Sequence, residues 1–195
     1  MLSDELEAWL TGDGEKTLGA LLDVFGRRSF AVVLVVLMAV PALPLPTGGA
    51  THVFELVVLL LALQLIAGRD EMWLPRRWRR IELTGEKRQR FLNALLRLIR
   101  RLERLSRRRA AFLFDRRWSN VLFGMLVIVM TAGAFVAPPF SGLDTLPALG
   151  VVLLSLGVLL EDILIVLVAL VVGGAGVTLE FVLGKAAFHY IWKLF

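Results

Sequence analysis

The chain has no cysteine. Disulfides, thiol catalysis and thiolate metal sites are therefore excluded. Histidine occurs only as His52 and His189, far apart in sequence, so no histidine-based metal site is expected. No phosphate-binding glycine loop, nucleophile elbow or zinc-protease string is present. Nucleotide-driven chemistry and a cofactor are not expected, and the chain does not read as an enzyme. Charge is sparse as well. Only 20% of residues are charged against 57% hydrophobic, and the mean hydropathy of +0.75 is far above that of soluble proteins. A secretory signal is not expected either. The N-terminus is acidic (Asp4, Glu5, Glu7, Asp13, Glu15), with no basic region leading into a short apolar core.

Nearly all the apolar weight lies in 29–67 and 119–183. The expected fold class is an all-α, multi-pass integral membrane protein. Residues 69–117 hold 17 of the 22 Lys and Arg against six acids, whereas residues 1–26 hold six acids and one Lys. The positive-inside rule reads the basic block as cytoplasmic and headgroup-facing. A nucleic-acid partner is not expected, because membrane segments flank the block on both sides.

Residues 30–69 reappear without a gap at 123–162. At this offset of 93, Pro46 falls on Pro139 and Gly49 on Gly142, and Leu56, Val58, Leu60, Leu61 and Leu63 fall on Leu149, Val151, Leu153, Leu154 and Leu156. Proline and glycine matches carry most weight, because they fix where the chain breaks. Two repeated helical hairpins follow, each with amphipathic interfacial helices, in the manner of transporter-like proteins. The organisation is 1–14, a polar segment with little structure; 15–69, the first repeat; 70–100, a basic interfacial connector; 101–162, the second repeat; and 163–195, a transmembrane helix with an interfacial tail. Each hairpin arm of the first repeat has about 15 apolar residues, short of the roughly 20 needed to cross. Two readings remain: arms that cross with tilt or thinning, or re-entrant hairpins whose tips, 44–52 and 138–147, lie inside the membrane. The arginines before each hairpin put both on one side, which implies parallel copies.

Charged and polar residues at membrane depth, here Glu55, Gln64, Asp144, Glu161, Asp162 and Glu180, are candidates for function. The set for substrate binding is Arg69, Asp162, Glu161, Glu55 and Gln64 on or beside the arms, with Thr47, His52, Ser141 and Asp144 at the tips. Arg69 and Asp162 occupy equivalent registers and could meet between the repeats; equally, both could mark a wet membrane surface. Asp144, Thr51 or His52 could instead cap the arms that follow. A basic amphipathic helix over 86–113 offers Arg97, Arg100, Arg101, Arg104 and Arg108 to anionic lipids.

Several strings resemble the ExoD family of bacterial exopolysaccharide-synthesis membrane proteins. They are Leu43-Pro44-Leu45-Pro46, Leu63-Gln64-Leu65-Ile66-Ala67-Gly68-Arg69, Trp73-Leu74-Pro75, Leu102-Glu103-Arg104-Leu105, and Leu146-Pro147-Ala148 with Glu161-Asp162. The resemblance covers about 15–185. It departs at Ala137-Pro138-Pro139, where the family is Leu-Pro-rich, and at Asp162-Ile163, where Asp-Gly is usual. It implies a part in exopolysaccharide production and supplies no catalytic residue. The expected function is movement of an ion or of a lipid-linked or phosphorylated substrate. The alternative is a non-transporting scaffold in a polysaccharide-synthesis complex. The expected partners are the lipid bilayer with anionic lipids, and a homo-oligomer or polysaccharide-synthesis proteins.

Overall fold

The computed structural model describes residues 2–25, 28–43, 51–69, 72–80, 82, 85–105, 117–137 and 142–194. Among these the chain is helical, and its β contact is an isolated antiparallel bridge between Thr17 and Glu82. The helices are α1 (Leu2–Thr11), α2 (Leu18–Phe25), α3 (Ser29–Met38), α4 (Thr51–Ile66), α5 (Arg76–Arg79), α6 (Glu86–Leu105), α7 (Arg117–Val136), α8 (Thr145–Leu160) and α9 (Ile163–Leu194).

Helices α3, α4, α7, α8 and α9 form the apolar bundle. Its most extensive contact is between α8 and α9, followed by α4 with α7 and α3 with α8. The contacts fix directions. Arg28, just before α3, bonds Glu161, just after α8. Ile66, ending α4, lies under Gly124 near the start of α7, and His52, starting α4, meets Phe135 near the end of α7. Residues 28, 66, 124 and 161 therefore share one end of the bundle, here called the base. His52, Phe135 and Asp144 share the opposite end.

Much of the bundle's outer surface is apolar. On α4 the exposed residues are Val53, Leu56, Leu60 and Leu63, at three- and four-residue spacing along one face. Leu122, Met125, Val129 and Val136 repeat the pattern on α7, and Leu164, Leu167, Val168 and Val171 on α9. Among the described residues two stretches are long and apolar enough to cross a membrane, Trp118–Val136 and Ile163–Lys185. Only 33% of the first and 17% of the second is buried by protein, unlike the core helix of a soluble protein. Exposed apolar faces on two candidate spans point to a membrane protein.

The remaining helices collect at the base. α1 packs on α2 and α6, and α2 on α5 and α3. The N-terminal segment 1–14, expected to have little structure, is mostly helical. Leu6, Trp9 and Leu10 share one face, Leu6 is fully buried, and the Lys16 ammonium closes the helix end on the carbonyls of Trp9 and Gly12. Its stability comes from that tertiary burial, which local sequence does not reveal. The first arm, 29–43, is helical only to Met38; turns through Leu43 follow, where Pro41 cannot continue a helix.

Backbone contact sets the register of α8 on α9. A Cβ added to Gly150 would lie 2.4 Å from Gly173 Cα, and one added to Gly176 would lie 2.7 Å from Pro147 N. Small residues allow such an approach, and in lipid this packing replaces the hydrophobic drive. Gly150→Ala is expected to cost about 1–3 kcal/mol by overpacking. Gly174→Ala, whose Cβ would meet nothing within 4 Å, is expected to be neutral or to gain up to about 1 kcal/mol. Unfolding of the two variants in the same lipid or detergent checks the contrast.

Candidate functional site

The described turns that close α4 and α8 at the base are hydrogen-bonded within the chain. α4 and α8 end in the same turn. In α4, the Gly68 N–H donates to Leu65 O (3.0 Å) and the Arg69 N–H to Gln64 O (3.1 Å); in α8, Glu161 donates to Val158 O (3.3 Å) and Asp162 to Gly157 O (2.9 Å). This is the Schellman pattern, whose pivotal residue is left-handed. Gly68 adopts φ +73° without strain, whereas Glu161 adopts φ +55° with a side chain. Glu161 accepts a bond from Arg28, and Asp162 is buried with its Oδ1 accepting the Leu164 N–H (3.0 Å) at the start of α9. Arg69 is exposed and makes no ion pair with Asp162 among the described residues. No pairing of those two is seen among the described residues: Asp162 Oδ1 accepts the Leu164 N–H at the start of α9, and a described arginine that reaches this turn is Arg28, through Glu161. Gln64 is also committed: its amide donates to Trp73 O (3.2 Å) and its Oε1 accepts the Trp73 N–H (2.8 Å), which ties the Trp73-Leu74-Pro75 string to the end of α4.

The opposite end is different. Glu55, one turn into α4, is fully buried. Its Oε2 lies 2.7 Å from His52 Nδ1, and the His52 ring stands 5.1 Å from that of Phe135. Its Oε1 has no hydrogen-bond partner among the described residues, and neither has the buried Oε1 of Glu180 on α9. Glu180 sits against Gly133 of α7: a Cβ on that glycine would lie 3.0 Å from Glu180 Oε2. Glu180, Asp144 and Glu55 are near enough to interact electrostatically. Asp144 stands at the N-cap position of α8, but its side chain makes no cap bond. The hydroxyls of Thr131 on α7 and Ser155 on α8 are also buried without partners among the described residues. Thus His52 and Glu55 are in contact, and Asp144 and Glu180 lie within electrostatic range of Glu55. Thr47 and Ser141 lie outside the described residues. Glu180 was legible only as a charge at membrane depth; Thr131 and Ser155 carried no signal beyond being hydroxyls in apolar runs.

Two further surfaces flank the bundle. An apolar cleft of about 510 Å³ opens near the base between α7, α8 and the start of α9, lined by Trp118, Leu122, Met125, Leu154, Val158 and Val166 among others. On α6, Arg97, Arg101 and Arg104 are exposed, while Arg100 is bonded to Glu7 of α1. Arg108 lies outside the described residues. Among those described, no group of three His, Asp or Glu side chains is placed to hold a metal ion.

Glu161 offers a direct test of the base. Glu161→Gly removes the left-handed penalty of about 1–2 kcal/mol but also the bond to Arg28, whereas Glu161→Gln keeps the penalty and weakens that bond. The expected order of stability is Glu161→Gly above Glu161→Gln, read from thermal unfolding of both beside the parent protein.

The family model described as "Exopolysaccharide synthesis, ExoD" matches residues 2–182. An uncharacterized protein of Synechocystis sp. is 30% identical over 178 residues, covering 91% of this chain and 80% of that protein. Protein ExoD of Rhizobium meliloti is 30% identical over 180 residues, covering 88% of this chain and 72% of that protein. No solved structure matches. The motif strings at the α4 end and after it, held together through Gln64 and Trp73, and the match over nearly the whole length agree: the chain belongs to the ExoD family, linked by name to exopolysaccharide synthesis.

Proposed function

We propose that this protein resides in the bacterial inner membrane and serves exopolysaccharide synthesis or envelope homeostasis by moving an ion through a transporter-like body of two duplicated hairpins, without enzymatic chemistry. The observation that carries the reading is the pair of buried carboxylate oxygens, on Glu55 and Glu180, unpartnered among the described residues where the hairpins break. Carboxylates at membrane depth are costly, and they are characteristic of ion pathways. The acids also make a phosphorylated substrate a poor fit there. A lipid-linked one would find its apolar surface in the cleft at the other end.

The duplication is supported by the matching end turns of α4 and α8, which fall at the same offset of 93 as the sequence match. Both hairpins start from the base, in keeping with parallel copies. The re-entrant reading is supported by length. α3 has 10 residues and α4 and α8 have 16 each, about 15 and 24 Å against a ~30 Å hydrocarbon core. α9 runs on past the breaks for 14 residues beyond Glu180, to Leu194. The base, with Arg28, Arg69 and the arginines of α5, faces the cytoplasm under the positive-inside rule.

Transport is tested with purified protein in sealed liposomes carrying H⁺, Na⁺ or K⁺ gradients, with the membrane potential clamped. Flux above that of empty liposomes, largely lost in Glu180→Gln, is expected. Absence of flux under every gradient, with normal polysaccharide output in cells, would replace transport by the scaffold role.

Anionic lipid is the proposed partner of α6. Each basic residue near a charged surface contributes about 1 kcal/mol. Replacing Arg97, Arg101 and Arg104 by Gln is expected to strip co-purifying anionic lipid in a salt-sensitive manner. Arg100→Gln alone, already bonded to Glu7, is expected to do little. Lipid analysis of the purified variants at two salt concentrations checks this.

A further inference from the structure

Three carboxylates from three elements lie near enough at the hairpin breaks to interact electrostatically: Glu55 of α4, Asp144 before α8 and Glu180 of α9. Little positive charge faces them. His52 is the one described group that can supply it, and it contacts only Oε2 of Glu55. From α7 the described neighbours are Phe135 and Gly133, both uncharged. α3 contains no charged residue at all, and the break segments 44–50 and 138–141 contain no Lys, Arg, Asp or Glu. Lys185, five residues beyond Glu180, is exposed and stacks its ammonium 4.4 Å over the Phe181 ring. Glu55 is buried completely, yet one of its oxygens has no partner among the described residues; the same holds for the buried oxygen of Glu180.

Negative charge gathered at membrane depth without a matching side chain needs compensation from outside the chain. An anion is repelled, and a bulky organic cation has no room beside a fully buried carboxyl. No three His, Asp or Glu groups converge among the described residues to hold a metal ion, so Na⁺ and K⁺ have no built site there. We propose that His52, Glu55, Asp144 and Glu180 bind a proton at the hairpin breaks. This rests on the ion-transport reading above and names the ion. Glu55 and Glu180 offer their unpartnered oxygens, Asp144 adds charge from the α8 end, and His52 orients Glu55 through Oε2. Gly133 leaves room for the Glu180 carboxylate against α7, since a Cβ there would lie 3.0 Å from its Oε2.

The test is an equilibrium measurement on the full-length protein in lipid nanodiscs, so it does not depend on turnover. Thermal unfolding is followed in N-methylglucamine chloride and in NaCl or KCl of equal ionic strength. It is then followed from about pH 5 to about pH 8 without alkali cations. With a proton at the site, alkali cations have no effect on the wild type. A rise in Tm of about 5–10 °C in NaCl or KCl that is lost in Glu180→Gln would show a bound alkali cation instead and overturn the proposal. The pH dependence of Tm is expected to be steeper in the wild type than in Glu180→Gln and Asp144→Asn, while Asp23→Asn, an exposed acid paired with Arg79 near the base, keeps the wild-type slope. Should Glu180→Gln fail to fold, the half-buried Asp144 carries the comparison. An identical pH response in wild type and both site variants would overturn the proposal. A site-dependent pH response without flux in liposomes would keep the site and remove transport; flux without that response would do the reverse.

Discussion

Backbone contact between α8 and α9 positions the rest of the bundle. Two helices in lipid have no hydrophobic reason to associate, since lipid tails are as apolar as their side chains. What holds them is close packing, and Gly150 against Gly173 and Gly176 against Pro147 bring the two backbones together with no side chain between. The register is consequently narrow. A slip of one residue turns a helix by about 100°. Such a slip would carry Glu180 away from Gly133, Asp144 and Glu55. The chemistry at the breaks thus depends on glycines only four and seven residues before Glu180 along α9, Gly176 and Gly173.

The two ends of the bundle use polar groups in opposite ways. At the base three of them serve the chain itself: Gln64 holds the Trp73 backbone, Asp162 starts α9, and Arg28 meets Glu161. Removing Asp162 would strand the Leu164 N–H, and a stranded buried group costs about 1–3 kcal/mol. At the breaks such groups are already present, on Glu55, Glu180 and, deeper in the bundle, Thr131 and Ser155. A chain selected only for stability would replace Glu55 by leucine, which fits an apolar helix and needs no partner. Its retention beside His52 is the strongest sign that the breaks are functional.

Sequence pattern located the long elements well, because length and hydropathy decide them almost without tertiary help. The run 119–137 became α7, the arm 146–160 became α8 and the arm 53–67 became α4, each within about two residues. Pro41 marked the early end of the first arm, although only the structure shows how little of that arm is helix. The N-terminal helix was illegible, since a ten-residue segment gains its stability from burying Leu6 against elements far along the chain. The candidate site was half legible. Glu55, His52 and Asp144 stood out as polar residues next to breaks. Glu180 lies about 26 Å along α9 from Ile163, and nothing local indicates that this height matches the breaks of both hairpins. The Arg69–Asp162 pairing failed for a related reason. Equivalent positions in two copies need not face each other, and Arg28 precedes the first arm rather than ending it.

Glu161 and Gly68 show how two equal turns come to do different work. Both stand at the left-handed position after a 16-residue helix, and the hydrogen bonds around them coincide. After α4 the chain leaves the bundle along the base, and Gln64 holds the departing strand by its backbone, so the pivot needs no side chain and glycine suits it. After α8 the chain turns straight back into α9, and the pivot lies between the start of a membrane helix and the arginine that opens α3. A carboxylate there ties the second hairpin to the first through Arg28, at the expense of backbone strain that glycine would avoid. The strain is tolerated because the bond spans 133 residues of sequence and holds the two hairpins together at the base.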